Sequence, residues 1–359
     1  MQHLMIIWAK SSYFTIFSTI NVNFPLFIIN NTTKNKGVIN MNNLRKIGLS
    51  ALAGSLATFS VNAADMSVSG AASISFDDTN RGKADRGNGF YMGDSVKFNA
   101  SGETDGGIGV AVYYEMDGGT LDDHNIKLTG DFGTITFDGH GGSSAMGAVD
   151  DKTPNAYEEA WDIIDTDGAA TSGSPTVING SGSGNSMFIY TSPSMGGASL
   201  TVAYRNAVND ASESMTDFAL AMSPESIDGL TVGVAMSDNS IGENVDSDES
   251  TMYATYATGG FTFGVQSSDL DHTTANSDQE SIAYGITYAV NDDMSIGYSY
   301  HEVEFESGAN LLDQESTGIS ASYTMGGMTL AGAMNDVDNM AGTATRDHEG
   351  YEFTLSFAF

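Results

Sequence analysis

The chain has 359 residues, with 42 glycines, five prolines, 18 phenylalanines, 15 tyrosines and no cysteine. Its 46 acids against 13 bases leave a net charge of −33, so its surface repels nucleic acid and anionic lipid and gathers cations, while the missing thiols exclude disulfides and cysteine catalysis. Abundant Gly, Thr, Tyr and Phe with little Pro point to many short strands and tight turns, an all-β chain.

Residues 1–40 precede a segment with the three parts of a secretory signal: the basic Met41-Asn42-Asn43-Leu44-Arg45-Lys46, the apolar stretch 47–59, and small residues at Val61-Asn62-Ala63. Cleavage is expected after Ala63 and initiation at Met41, which makes 1–40 an upstream extension, 41–63 a signal peptide and 64–359 the mature domain. The apolar run is shorter than the ~20 residues that a helical span needs. No acid precedes Asp65, so the part beyond residue 63 carries eight bases against all 46 acids, a net charge of −38.

Turn signals then recur down the chain: Thr104-Asp105-Gly106-Gly107, Gly130-Asp131-Phe132-Gly133, Ser194-Met195-Gly196-Gly197, residues 223–229, Thr258-Gly259-Gly260, Asn291-Asp292-Asp293 and Met325-Gly326-Gly327. Longer acidic segments alternate with them at 77–93, 117–124, 139–185, 206–213, 238–249, 269–280, 304–313 and 335–348. Seven short turns and eight long loops imply sixteen strands, with short connections on one side and long ones on the other, the asymmetry of an outer-membrane barrel. The strand segments alternate with period two: Val68, Ala72, Ile74 and Phe76 against Ser67, Ser69, Ser73 and Ser75; Ile108, Val110, Val112 and Tyr114 against Gly109, Ala111 and Tyr113. A soluble sandwich shows this alternation too, with its apolar set buried. The faces opposite the apolar ones are too small to fill a core, so they suit a watery lumen.

The last nine residues carry the pattern to the end, with Tyr351, Phe353, Leu355, Phe357 and Phe359 on one face. An amphipathic strand ending on an aromatic residue fits a barrel whose outer face meets lipid.

The segment Lys127-Leu128-Thr129-Gly130-Asp131-Phe132-Gly133-Thr134-Ile135-Thr136-Phe137-Asp138-Gly139 resembles the strand-turn-strand leading into the constriction loop of general porins. Asp65-Met66-Ser67-Val68-Ser69-Gly70 looks like the first strand of alphaproteobacterial-type trimeric general porins, and 98–107 like their second strand and first turn. The resemblance runs from about residue 64 to Phe359, specific at these landmarks and loose in the loops. It implies a sixteen-stranded antiparallel transmembrane β-barrel in the Gram-negative outer membrane, a homotrimer, with an inward-folded third loop. It also implies that the terminal strand, through Tyr351, Phe353, Leu355, Phe357 and Phe359, is read by the outer-membrane assembly machinery.

The candidate third loop, 139–185, holds Asp150, Asp151, Glu158, Glu159, Asp162, Asp165 and Asp167. Carboxylates on a loop within a low-dielectric ring, facing bases on the wall, set a transverse field at the narrowest point. Lys97, Lys127 and Arg205 alternate with outward apolar residues and are the expected basic wall. With acids in excess, the expected function is passive diffusion of ions and small hydrophilic solutes with cation preference. Two rival readings stay open: a substrate-selective channel, for example for sugars, using the loop aromatics Tyr157 and Trp161, and a secreted or surface adhesin.

No enzymatic constellation emerges: no nucleophile elbow links a strand to a helix, and the histidines stand singly without metal-ligand spacing. Asp165 and Asp167, and Asp246 and Asp248, are weak calcium candidates, neither pair within a full twelve-residue calcium loop. No other cofactor is expected.

Overall fold

The computed structural model describes residues 65–77, 89–161, 186–206, 214–242, 245–306 and 311–359. They form sixteen antiparallel strands closed on themselves, each paired with its neighbours in sequence, and the first with the last. The strands are β1 (Asp65–Asp77), β2 (Phe90–Glu103), β3 (Gly109–Asp117), β4 (Thr120–Gly130), β5 (Gly133–His140), β6 (Met187–Thr191), β7 (Ala198–Arg205) and β8 (Met215–Met222). They continue as β9 (Leu230–Gly242), β10 (Val245–Thr258), β11 (Phe261–His272), β12 (Gln279–Ala289), β13 (Met294–Phe305), β14 (Gln314–Met325), β15 (Met328–Asp338) and β16 (His348–Ala358). The signal and upstream segments expected over 1–63 lie outside the described residues.

The alternation in the sequence becomes an inside-out molecule. Val68, Phe98, Val234, Phe263, Tyr298 and Phe353 are exposed on the outer face, while serines, threonines and alanines line the interior. Such a surface is stable only against lipid or another apolar body, which fits a transmembrane barrel and not a soluble sandwich. Closure does not depend on side chains alone: the Gly70 amide donates to the Phe359 carbonyl (2.7 Å) and the Phe359 amide to the Gly70 carbonyl (3.0 Å). A Cβ on Gly70 would lie 2.7 Å from the Phe359 ring and 3.0 Å from the Ser95 carbonyl oxygen, so a side chain there would have to displace the terminal ring.

Two of the segments read as long loops prove otherwise. Residues 117–124 form a two-residue hairpin, with Gly118 and Gly119 at φ +55° and +79° between β3 and β4. Successive positive φ values suit the twist of a tight hairpin, and glycine takes them without steric cost. Residues 238–249 are mainly strand, because β9 and β10 run on past the apolar belt. Their acids therefore pair across the ladder, Asp238 opposite Asp248 and Asp248 opposite Asp271. The pattern continues on the outer rim with Glu280 opposite Glu304, Glu302 opposite Glu315, and Asp336 opposite Glu349.

Candidate pore constriction

The connection after β5 turns into the barrel instead of out to solvent. A bulge between His124 and Asn125 in the β4–β5 ladder reorients the strand end, and a single 3-10 turn, Gly147–Val149, follows. Residues 141–161 of this loop then run along the inner wall.

Named side chains of the wall fix it in sequence. Asp217 of β8, 0% exposed, accepts hydrogen bonds from the amides of Ala145 (3.1 Å) and Met146 (3.0 Å). Met146 is fully buried in an apolar cluster with Met187, Ala203, Ala219, Ala235 and Tyr253. Gln266 of β11 donates to the Val149 carbonyl (2.7 Å) and accepts from the Lys152 amide (2.6 Å). Ser320 of β14 accepts from the Ala156 amide (3.0 Å), and Asn335 of β15 donates to the Glu159 carbonyl (2.7 Å). A short contact from the Tyr157 hydroxyl to the Glu352 carboxylate ties the loop to β16, with the Thr354 hydroxyl at 2.6 Å.

Between these anchors the loop lies almost on the backbone of the sheet. Cβ atoms placed on Gly264 or Gly285 would come within 2.4 Å of Pro154, on Gly297 within 2.9 Å of the Ala156 nitrogen, and on Gly318 within 3.0 Å of the Ala160 Cα. These four glycines, on the inward faces of β11 to β14, make a seat for the loop. Sequence reasoning saw a small, polar inner face and read it as open lumen. The available signal was glycine at interior strand positions, which marks close approach of another backbone.

The loop acids are disposed unequally. Asp151 caps the loop, its Oδ1 accepting from the amide (2.8 Å) and hydroxyl (2.7 Å) of Thr153. Glu159 Oε1 is 3.4 Å from the Asn155 amide nitrogen, and Glu158 is half-buried. Asp150 faces open space, yet the loop and wall around it push its carboxyl above the ordinary range by desolvation; the Asp151 amide bonded to it opposes this and the Asp151 charge adds to it. Asp162, Asp165 and Asp167 lie outside the described residues.

Lys97, Lys127 and Arg205 all lie on the inward faces of their strands, each with a neighbour on the wall itself. Lys97 Nζ is 3.3 Å from Glu115 Oε1 on the adjacent β3, and Glu115 also takes a short contact from the Tyr113 hydroxyl. Lys127 acts electrostatically on the buried Asp138 of β5. The Arg205 guanidinium touches the Met215 sulfur. Glu115, Asp138, Asp217, Glu249 and Glu352 are thus wall acids that the sequence reading missed, all buried. No spacing rule could have gathered them, because each arrives on a different strand.

Neither loop aromatic is presented as a stacking platform. Tyr157 spends its hydroxyl on Glu352 and Thr354, and Trp161, 8% exposed, lies against His301 with ring centroids 4.3 Å apart. Among the described residues one group could hold a cation, Asp122, Asp123 and His140, whose ligand atoms lie within 4.8 Å of one another. Of the calcium candidates, Asp246 and Asp248 fall within β10, and Asp165 and Asp167 lie outside the described residues.

A family model of Gram-negative porins matches residues 48–316. None of the curated proteins matches the sequence. Among solved structures, a porin superposes with a TM-score of 0.61 at 16% identity, covering 82% of this chain and 100% of its own. The anion-selective porin of Comamonas acidovorans gives 0.59 at 13% identity, with 82% and 100% covered. The trimer form of the outer-membrane protein OmpT of Vibrio cholerae gives 0.60 at 12%, with 83% and 100% covered. At these identities the likeness speaks for the fold.

Proposed function

The chain belongs to the Gram-negative porin family, an outer-membrane channel by family and architecture, and from that premise we propose that it conducts ions and small hydrophilic solutes passively, favours cations, and works as a homotrimer. The observation that carries the ion preference is the charge of the lumen: Lys97 and Lys127 each stand beside a wall acid, and the loop adds Asp150, Asp151, Glu158 and Glu159 against Lys152 alone. Carboxylates in a ring of low dielectric raise the local concentration of cations and oppose anions. That a porin of the same fold is anion-selective means that the side chains, not the barrel, must decide.

The trimer is supported by the OmpT trimer form. The paired acids of the outer rim support it too, for those described here belong to β9–β16, whereas β2 and β3 present Val96, Phe98, Tyr114 and Met116 outward. The sugar-selective reading loses its support with Tyr157 and Trp161 committed to the wall, and the adhesin reading does not fit a closed barrel with an apolar exterior. The signal peptide of 41–63 and recognition of the final strand by the assembly machinery remain part of the proposal. So does weak calcium binding.

Reversal potentials of purified protein in planar bilayers under a KCl gradient test the ion preference. Cation preference is expected at neutral pH; a potential of the opposite sign would overturn the reading, and absence of conductance would sink the channel itself. For assembly, deletion of Phe359 should reduce insertion more than unit conductance, read by membrane fractionation against single-channel recording.

A further inference from the structure

Among the groups that the channel reading does not use, His301 stands apart. It lies on the inward face of β13, 5% exposed, with no hydrogen-bond partner for Nδ1 among the described residues. Its ring meets Trp161, the last described residue of the constriction loop, at 4.3 Å and 44°. Its register partners are Ala283 on β12 and Ser316 on β14, and its own strand offers Ser299 and Val303 on the same face; none of them is ionisable. Asn335 of β15 is committed through its amide to the Glu159 carbonyl. From the loop, Ala160 and Trp161 cover the seam; the Glu159 carboxylate is engaged by Asn155, and Glu352 of β16 by Tyr157. A neutral imidazole under an indole suits this uncharged seam. Among the described residues an imidazolium has no carboxylate opposite to pair with, and burying an unpaired charge is strongly unfavourable.

We propose that His301 and Trp161 form a pH-sensitive latch on the constriction loop, closed while the imidazole is neutral and released when it takes a proton. The reason the latch can open is local. The described end of the loop meets the wall through this ring contact and the Asn335 bond, just past the Tyr157 tie to β16, whereas its entry is held by the buried Asp217 carboxylate. An undocked imidazole titrates near its ordinary value of about 6.5, so the docked-to-undocked ratio should fall by up to about tenfold per pH unit below that. The consequence for conduction rests on the channel reading above; the latch itself does not.

The chain supplies its own reporter, since Trp8 and Trp161 are its two tryptophans. In the mature domain, residues 64–359, Trp161 is the one tryptophan, and its emission in the folded protein in detergent micelles is followed from pH 7.5 to 4.5, with acrylamide quenching at each step and heat-modifiable gel migration to certify the barrel. Release predicts a red shift and greater acrylamide access on acidification, both absent in His301→Gln. The same rise in His301→Gln, no change in either protein, or dimming without greater access would each overturn the latch. Bilayer conductance over the same pH range separates the two readings, because a silent channel with a working fluorescence switch would count against conduction and leave the latch standing.

Discussion

The two halves of the lumen wall are built for opposite tasks. From β8 round to β16 the inward face offers glycine, serine and a few buried hydrogen-bonding groups, and the constriction loop lies on it. From β2 to β5 it carries charges of both signs at close quarters, Lys97 with Glu115 and Lys127 near Asp138, and the described loop meets it at its start, where Gly141 and Gly142 lie against Asp123 and Asp138. One half is a seat and the other a charged surface facing the channel. Position in the pore is therefore controlled by backbone approach and hydrogen bonds, and ion preference by residues that contribute little to holding the loop. Substitutions in the seat should change conductance and selectivity together, whereas those on the charged half should move selectivity alone.

The strongest way to break this division is Asp217→Ala. It strands two buried amides, and bonds to a charged acceptor contribute about 1.5–3 kcal/mol each. The loop entry should come free, with larger and noisier single-channel conductance and weakened ion selectivity; unchanged conductance would show that the seat does not depend on this carboxylate. Gly285→Leu should come next. Its Cβ would sit 2.4 Å from the Pro154 carbonyl oxygen, a backbone atom that cannot swing aside, and overpacking of this kind costs about 1–3 kcal/mol. Protease susceptibility of the loop in the intact barrel should rise, and the same change at Gly102, where nothing lies within 4 Å, should leave it unaltered.

How far the sequence disclosed these two halves follows from the range of the interactions. Period-two alternation, glycine turns and the terminal aromatic strand are local, and they were enough for sixteen strands and their facing, while the inward fold of the third loop followed from the resemblance to general porins. Loops 117–124 and 238–249 misled, since acidic composition marks exposure, and an exposed acid on a protruding strand looks like one on a loop. The pairing of Lys97 with Glu115 was out of reach because 97 and 115 meet only through the β2–β3 register. The seat was hidden for a related reason: Gly264, Gly285, Gly297 and Gly318 lie on four strands, and their common partner is a loop more than a hundred residues earlier in the chain.

On the charged half the effects should be smaller and opposite in sign. Lys97→Gln should strengthen cation preference and Glu115→Gln weaken it, each without altering unit conductance much. A part-exposed ion pair contributes under about 1 kcal/mol to stability, so the barrel itself should be indifferent to either change. If both substitutions shift the reversal potential in the same direction, the pair acts through loop position and the division fails.

The smallest expected effect sharpens the comparison most, since Asp150 belongs to the seated loop but faces the open channel. Its carboxyl is raised by desolvation, so it takes a proton at a higher pH than an ordinary carboxylate near 3.9. Its share of the cation preference is complete well above that raised value and fades as the pH falls through it. The docked loop binds this proton more readily than a solvated loop would, so acidification at Asp150 favours docking, opposite in sign to protonation of His301. In a His301→Gln background the latch is silent, and reversal potential against pH should decline in two stages, an upper one from the desolvated carboxylates, Asp150 among them, and a lower one from ordinary carboxylates. Adding Asp150→Asn should shrink the upper stage and leave unit conductance flat, while Asp292→Asn, in the β12–β13 turn, should leave both stages in place. A shrunken upper stage accompanied by a conductance change would mean that Asp150 holds the loop as well as charging the pore, and the separation of seat from charge would not extend to the loop itself.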